Sequence, residues 1–234
     1  MTSTAVPAPP SDATDLLPVL VLASASPARL GLLRAAGLDP TVIVSGVDEE
    51  ALGALPPAEL VVRLAEAKAG AVADRLLADP AAGPAAAAAA GTRGAVVIGA
   101  DSMLDLDGVA LGKPADAAEA VARWGVLAGR SGVLRTGHAL LLLRGGAVAD
   151  SRSAQEATTV RFVDATPEEV AAYVGTGEPL SCAGAFTLDG RGSALIAGVD
   201  GDPSSVIGLS MPAVRRCLAE LGAPLHRWWA AAAR

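Results

Sequence analysis

The stretch VLVLASASPAR, residues 19–29, decides the fold of this 234-residue chain. Its first five residues are a continuous apolar run of strand length. Ser26 and Pro27 then form a pair typical of a helix start, because a serine side chain caps free backbone N–H groups and proline fits the first helical position. Apolar residues recur at helical spacing as far as Gly37. The stretch therefore predicts a buried strand, a turn and a helix.

Strands and helices alternate along the rest of the chain. Alternation of this kind indicates an α/β fold, and two strands with no helix between them favour a mixed rather than a wholly parallel sheet. The segment 175–210 is rich in glycine and short polar residues and is expected to be loop and strand with little helix. The apolar runs predict strands at 41–44, 95–99, 137–144 and 158–163, and the helical patterns predict helices from Pro56 to about Leu77, at 117–127, from Thr166, and at 211–221.

Size and composition fit one folded domain. With 52% hydrophobic residues, the chain can build a large core in one domain or in two lobes that share a sheet. Residues 1–18 are rich in proline, serine, threonine and aspartate and have no basic start, so we expect a disordered tail rather than a signal peptide or a membrane anchor. We assign residues 19–234 to a single domain, with an alanine-rich segment at about 78–94 that forms a surface insertion or a short extra helix.

Hydropathy and charge argue against two classes of partner. No apolar run approaches the roughly 20 residues needed to span a bilayer, so we expect a soluble, cytoplasmic protein. The net charge of −7, without runs of Lys and Arg, argues against nucleic-acid binding. Only Lys68 and Lys113 among the 18 basic residues are lysine, which suggests two positions where a compact charge is needed. A polyanionic ligand would have to be held locally.

Three familiar kinds of site find no support in the motifs. Cys182 and Cys217 lack zinc-binding spacing and are expected to be small apolar residues. The segment 108–114 resembles a P-loop only superficially, since its spacer is one residue short and proline replaces the metal-binding hydroxyl residue. Neither His138 nor His226 has a Ser or Cys partner in a recognisable triad motif. Zinc binding, Walker-type hydrolysis and triad hydrolysis are therefore not indicated.

Polar residues follow the first three predicted strands, and Asp101 is expected at the carboxyl end of the third. Ligands of α/β proteins bind beyond the carboxyl ends of the strands. Free backbone N–H groups after Ser26, together with Arg29, could cradle a phosphate, and carboxylates from other strand ends could hold a divalent cation. Each residue also has a structural interpretation, as a helix cap, part of a solvated acidic face or a turn former. The candidates are Ser24, Ser26, Arg29, Glu49, Asp101 and Ser102.

Eight short motifs occur in the order of the Maf family and together span about residues 19–221. Each motif alone is weak, but the whole series resembles this family over nearly the full chain. The motifs are LASASPAR (22–29), LAEAKA (64–69), GADS (99–102), LGKP (111–114), TG (136–137), GEPL (177–180), AGAF (183–186) and GDPSSVIGL (201–209).

The resemblance implies a fold and an activity. Maf proteins have a two-lobed α/β fold, similar to that of inosine triphosphate pyrophosphatase, in which helices flank an elongated mixed sheet. They hydrolyse nucleoside triphosphates, including modified ones, to the monophosphate and pyrophosphate in a house-cleaning role. The reaction requires a divalent cation, for which we expect Mg²⁺ or Mn²⁺. The resemblance is also compatible with a homodimer.

The resemblance implies roles for single residues as well. Asp101 matches the proton acceptor of the family, and its polar cleft residues match Arg29, Glu49, Lys68 and Lys113. We expect the metal on Glu49 and Asp101, together with phosphate oxygens. Because an unperturbed Asp has a pKa of about 3.9, we expect Asp101 to orient water or hold the metal rather than to abstract a proton unaided.

Departures from the family pattern bear on which nucleotide is bound. The positions associated with base selection match Arg29, Ser102 and Asp189. Many members have threonine in place of Ser102, glutamine in place of Asp189 and proline in place of Ser210. A carboxylate in place of an amide loses a donor, so the preferred base stays open. The expected substrate-binding residues are Ser24, Ser26, Arg29, Lys68, Ser102, Lys113 and Asp189.

Two other functions are left open by the sequence. Maf-like proteins are also linked to septum formation and division arrest, so the same cleft could sense nucleotides in a regulator without significant turnover. A nucleic-acid-binding module is the weaker alternative, because the chain is acidic. Asp101, Lys68 and Lys113 together favour the enzyme.

Overall fold

A computed structural model describes residues 17–49 and 55–232 of the chain. The strands in this part are β1 (Val19–Leu22), β2 (Thr41–Val42), β3 (Ala95–Leu106), β4 (Val109–Leu111), β5 (Ser131–Arg144), β6 (Ala147–Phe162) and β7 (Ile196–Asp200). The helices are α1 (Pro27–Ala35), α2 (Pro57–Ala78), α3 (Pro84–Ala90), α4 (Ala117–Leu127), α5 (Pro167–Gly175), α6 (Pro203–Ile207), α7 (Met211–Glu220) and α8 (His226–Ala232), with 3₁₀ helices at Glu178–Ser181, Ala183–Ala185 and Arg191–Leu195.

One mixed sheet contains all seven strands, in the order β2-β1-β3-β5-β6-β7, with β4 paired to β3. The strand β1 is parallel to β2 and β3. The pairs from β3 through β5 and β6 to β7 are antiparallel. The mixed α/β architecture predicted from the sequence is confirmed.

The strand β3 is longer than the sequence pattern predicted, and this changes the position of Asp101. The predicted strand stopped at Gly99, so the placement of Asp101 at a carboxyl end is wrong. β3 continues to Leu106 because residues 101–105 pair with residues 133–137 of β5. The neighbouring β1, however, ends at Leu22 opposite Ile98. Asp101 therefore lies just beyond the end of β1, where the sheet opens on that side.

The hairpin of β5 and β6 also extends beyond its predicted strands. The two strands begin at Ser131 and Ala147, earlier than the predicted starts at 137 and 158. They join across Gly145 and Gly146, both of which have positive φ as a tight primed turn requires.

The predicted strand at 41–44 is shorter than expected, since only the two residues of β2 form a strand there.

Alternation along β1 sends side chains to two separate cores. Leu20 and Leu22 pack with α1 and α7 on one face, whereas Val21 packs with α2 and α3 on the other. A third core gathers at the far end of the sheet around Trp124 of α4, whose ring meets Phe162 and Tyr173 edge to face. The elongated sheet thus carries one core cluster at one end and two at the other, in agreement with the expected two lobes.

Helix α2 lies unusually close to the sheet, and glycines permit this. A Cβ atom on Gly99 would stand 2.3 Å from the carbonyl oxygen of Ala65, and one on Gly137 would stand 2.2 Å from that of Val61. Only glycine allows the helix backbone to approach at these two positions. Because Lys68 follows Ala65 by one turn, the close approach brings Lys68 over β3.

The alanine-rich segment is a short helix rather than a loose surface insertion. It contains the end of α2 and the whole of α3. Ala85, Ala86 and Ala89 of α3 are buried in the core shared with α2 and β1. Small side chains at these three positions let α3 pack against α2 and β1.

The described part of the chain ends in a helix that the sequence pattern did not predict. After α7, the helix α8 returns to α1, where Trp229 Nε1 donates to the carbonyl of Ala36 over 2.7 Å. Most of the predicted N-terminal tail, residues 1–16, and the last two residues of the chain lie outside the described residues. Among the helices of the described part, none is long and apolar enough to cross a membrane.

Candidate active site

A cleft of about 480 Å³ opens where β1 ends beside β3. Its walls come from the β1–α1 turn, α2, the middle of β3, the segment after β4 and the loop before the third 3₁₀ helix. All nine residues proposed from the sequence line it: Ser24, Ser26, Arg29, Glu49, Lys68, Asp101, Ser102, Lys113 and Asp189.

Lys68 joins two carboxylates at the base of this cleft. Its Nζ atom lies 2.6 Å from Oδ1 of Asp101 and 2.7 Å from Oε1 of Glu49. The side chains of Lys68 and Asp101 are only 9% and 6% exposed, whereas Glu49 is half exposed. The second oxygen of Asp101, Oδ2, is buried and has no hydrogen-bond partner among the described residues. Asp101 therefore has one oxygen held and one available.

Burial and charge shift the pKa values of the two carboxyl groups in opposite directions. Burial raises the pKa of Asp101, and the attraction of Lys68 and Arg29 offsets this only in part. For Glu49, burial acts in the same direction but is outweighed by Lys68, with help from Lys113 and Arg29, so its pKa is lowered. A pair of carboxyl groups with separated pKa values is typical of acid–base chemistry.

Arg29 is a fixed part of the cleft wall. Its Nε donates to the carbonyl of Gly208 over 2.8 Å, and Nη1 donates to the carbonyl of Ala100 over 2.8 Å and to Ser24 Oγ over 3.2 Å. Nη2 donates to Ser102 Oγ over 3.3 Å. Four of the five guanidinium N–H groups are thus used within the described part of the protein, which leaves one for a ligand. Burial lowers the pKa of Arg29, opposed by Asp101 and Glu49.

The turn between β1 and α1 provides donors beside Arg29. Ser26 caps α1 by accepting from the backbone N–H of Arg29, as predicted. Ser24 Oγ accepts from the backbone N–H of Ser26 and from Arg29 Nη1, both over 3.2 Å. With two donors directed at it, Ser24 keeps its own O–H for the cleft. The start of α1 also directs its positive dipole end toward the cleft.

Lys113 and Asp189 lie exposed at the rim. Arg123 of α4 donates to the backbone carbonyls of Gly112 and Lys113 and so fixes the segment that carries the lysine. Glu178 does the same for the loop of Asp189, since its carboxylate accepts from Thr187 Oγ1 and from the backbone N–H groups that follow Asp189, at positions 191 and 192.

The two cysteines differ from each other. Cys217 is buried in the core, as expected. Cys182 is only half-buried and lines the cleft, so the prediction of an ordinary small apolar residue holds for Cys217 but not for Cys182. Burial raises the pKa of its thiol, which keeps it protonated near neutral pH.

Two carboxylates at the cleft base could take part in binding a divalent cation. No group of three His, Cys, Asp or Glu side chains able to hold a metal occurs within residues 17–49 and 55–232. Mg²⁺, however, is commonly bound by one or two carboxylates together with substrate phosphates and water. The free, buried Oδ2 of Asp101 and the half-exposed carboxylate of Glu49 fit that mode of binding.

The sequence model of the family described as Maf-like protein matches residues 19–221. The chain belongs to this family. It is 56% identical over 213 residues to a protein of Streptomyces coelicolor named nucleoside triphosphate pyrophosphatase. The aligned residues cover 91% of this chain and 95% of that protein. A protein with the same name in Saccharopolyspora erythraea is 53% identical over 89% of this chain and 96% of its own length. Another in Salinispora tropica is 47% identical over 90% of this chain and 87% of its own length.

All nine cleft residues predicted from the sequence of this Maf-like protein lie within the matched range, whereas α8 lies beyond it. One departure from the family pattern has a clear structural consequence. The backbone N–H of Ser210 donates to Nε2 of the fully buried His138 over 2.8 Å. Ser210 Oγ caps α7. A proline at this position would lack the N–H group. His138 therefore has a structural role, while His226 is exposed at the start of α8, outside the cleft.

Three residues that support the cleft are of types that give no functional signal by themselves. Thr136 and Ser205 form a buried contact behind Ser102, and Gly208 receives the Nε–H of Arg29. Threonine on a strand and serine in a turn are common, so their hydroxyl groups attract no notice. Only the motifs around them, TG and GDPSSVIGL, pointed to these positions.

Proposed function

We propose that this Maf-like protein hydrolyses nucleoside triphosphates between the α- and β-phosphates, releasing a nucleoside monophosphate and pyrophosphate. The observation that carries the proposal is the pair of carboxylates on Lys68, one of which has a buried oxygen with no hydrogen-bond partner among the described residues. The names of the three relatives support the same reaction.

Positive groups in the cleft would balance the charge of the substrate. A triphosphate brings several negative charges to a protein whose net charge is −7, so attraction must be local. Lys113 and the remaining N–H of Arg29 lie in the cleft walls, and the N-terminus of α1 adds its dipole. The same groups would stabilise the charge that develops on the departing pyrophosphate.

Glu49 and Asp101 would hold a divalent cation together with the phosphate oxygens. When bound there, Mg²⁺ or Mn²⁺ would neutralise phosphate charge and lower the pKa of water. Lys68 keeps the two carboxylates in place, since both salt bridges converge on its single Nζ atom.

Asp101 would act on the attacking water through the lone pair of Oδ2 that the cation leaves free. The water oxygen forms a bond to the α-phosphorus as the bond from that phosphorus to the bridging β-phosphate oxygen breaks, and the proton of the water passes to Asp101. Because burial raises the pKa of Asp101, its carboxylate is a better base than an unperturbed Asp. This role goes further than the water orientation expected from the sequence.

A product assay tests the proposal. Pure protein is incubated with a panel of ribo- and deoxyribonucleoside triphosphates in the presence of Mg²⁺ or Mn²⁺, and pyrophosphate and orthophosphate are measured separately. We expect pyrophosphate and the monophosphate in equal amounts. Orthophosphate as the only product would contradict cleavage between the α- and β-phosphates. Binding of nucleotides without any product would favour the nucleotide-sensing regulator instead.

A further inference from the structure

A line of hydrogen bonds runs from the cleft into the buried core behind it. Arg29 Nη2 donates to Ser102 Oγ over 3.3 Å, and Ser102 Oγ lies 3.0 Å from Thr136 Oγ1. Thr136 Oγ1 donates to the backbone carbonyl of Ser205 over 2.8 Å. Thr136 and Ser205 are fully buried, whereas Ser102 reaches the cleft.

The direction of every hydrogen bond in this line follows from the chemistry of its ends. A hydroxyl group has one hydrogen to donate, and a backbone carbonyl can only accept. The hydrogen of Thr136 is therefore used on the carbonyl of Ser205. Thr136 can then only accept from Ser102, so the single hydrogen of Ser102 points away from the cleft. Since Arg29 takes one lone pair of Ser102, one lone pair is left toward the cleft.

We propose that Thr136 fixes Ser102 as a hydrogen-bond acceptor that receives an N–H or O–H of the nucleoside part of the substrate. Phosphate oxygens at neutral pH are acceptors too, so they cannot pair with Ser102 in this state. Ser24, which also contacts Arg29, is a hydrogen-bond donor toward the cleft, because its oxygen already accepts two hydrogen bonds and its O–H hydrogen is not used within the described residues. The two serines thus divide the wall into a side that donates and a side that accepts.

This inference rests on the proposed function and adds to it. The family resemblance associates the position of Ser102 with base selection, but it says nothing of the direction of the hydrogen bond or of the residue that sets it. Thr136 is a positioning residue, since it is fully buried and acts through Ser102.

The experiment compares substrates with and without single donor hydrogens. The probes are the ribonucleoside triphosphates, their 2′-deoxy and 3′-deoxy forms, and base-methylated forms such as N3-methyluridine triphosphate. Inorganic tripolyphosphate, which offers only acceptors, is measured as an inhibitor. The variants are Ser102→Ala, Thr136→Val and Thr136→Ser. Thr158→Val is the matched control, because buried Thr158 bonds to the Ser205 hydroxyl in the same network without reaching Ser102.

In the wild type, removing the contacted hydrogen should lower kcat/KM about tenfold, the effect of one hydrogen bond lost with its acceptor left unpaired. This difference should fall below about threefold in Ser102→Ala and in Thr136→Val, where the Ser102 hydroxyl is free to turn. It should persist in Thr136→Ser and in Thr158→Val. Inhibition by tripolyphosphate should change less than about twofold in all variants. A response to the deoxy forms assigns the donor to the sugar, and a response to the methylated forms assigns it to the base.

Two results would overturn the inference. One is a loss of tripolyphosphate inhibition in Ser102→Ala as large as the loss of nucleotide binding, which would show Ser102 donating to phosphate. The other is a donor preference that is absent in the wild type or unchanged in Thr136→Val. Calorimetric titration with α,β-methylene analogues keeps the test separate from the proposed function, because a protein without turnover would still report how Ser102 binds the nucleoside.

Discussion

The Nζ atom of Lys68 lies within 2.7 Å of both Oδ1 of Asp101 and Oε1 of Glu49, so one buried ammonium group holds two carboxylates. Lys68 reaches Asp101 because Gly99 and Gly137 allow the backbone of α2 to pack directly against the sheet. Lysine suits the position, since a compact charge can serve two partners where the planar fork of arginine needs more room.

Replacing this lysine should impair the reaction and shift its pH dependence. In Lys68→Met the pKa of Asp101 should rise further, because Lys68 lowers it in the wild type. Asp101 would then be protonated at a higher pH, and the acidic limb of the kcat/KM profile should move upward in pH. We expect kcat to fall about 100-fold or more. Rate measurements from pH 5 to 9 test this.

Arg63→Met provides the control for that variant. Arg63 is on the same helix, and its ion pairs within residues 17–49 and 55–232 are the exposed ones with Glu59 and Glu66. Its replacement removes the same charge without touching the cleft, so the pH profile should match that of the wild type. A profile of Lys68→Met that also matches the wild type would contradict the role given to Lys68.

The close packing of α2 predicts a large effect of one methyl group. Gly99→Ala places a Cβ 2.3 Å from the carbonyl oxygen of Ala65, so helix and strand must separate. We expect a loss of about 1–3 kcal/mol in the free energy of unfolding, as for other overpacked cores, together with a loss of activity as Lys68 moves. Urea unfolding measures the first effect.

Gly70→Ala is the matched substitution, also on α2. A Cβ at Gly70 meets no atom within 4 Å. Alanine favours the helix by up to about 1 kcal/mol over glycine, so this variant should be as stable as the wild type or more so. Equal stability of Gly99→Ala and Gly70→Ala would show that the packing of α2 on the sheet does not require glycine at position 99.

His138 should make the protein less stable in acid. Burial lowers the pKa of His138 to about 4 from its usual 6.5. Between these two values the unfolded chain binds a proton that the folded protein does not, so stability contributed by neutral His138 is present above pH 6.5 and is lost as the pH falls toward 4. The loss should be roughly 3 kcal/mol.

The variant His138→Gln isolates this effect. Its side-chain oxygen can still accept from the backbone N–H of Ser210, but it does not titrate. Unfolding free energies measured from pH 7 to 4 should therefore fall less steeply in the variant than in the wild type. Parallel curves for the two proteins would mean that His138 is not the group responsible.

Local patterns in the sequence were sufficient to predict the first strand and helix and to locate the residues of the cleft. VLVLASASPAR predicted β1, the cap at Ser26 and α1, and the scarcity of lysine pointed to Lys68 and Lys113. The strand ends of β3, β5 and β6 could not be predicted, because they are fixed by pairing between distant segments rather than by local composition.

The contacts that hold the site residues in place could not be predicted from local sequence patterns either. That Gly99 faces a helix backbone, or that Thr136 bonds to Ser205, depends on contacts across more than 30 residues of chain. The pKa of Asp101 is likewise a property of its burial, which the unperturbed value of an Asp could not anticipate. The motifs located the site, whereas the fold determines how its groups act.

The most direct measurement compares turnover and nucleotide binding in Asp101→Asn. Asparagine keeps the shape and one oxygen for Lys68 but cannot accept a proton from water. At saturating nucleotide and Mg²⁺, we expect kcat for pyrophosphate release to fall by about 100-fold or more, with Arg63→Met unchanged and with binding of an α,β-methylene nucleotide still measurable. If Asp101→Asn retains most of its turnover under these conditions, Asp101 is not the catalytic carboxylate and the central claim is wrong.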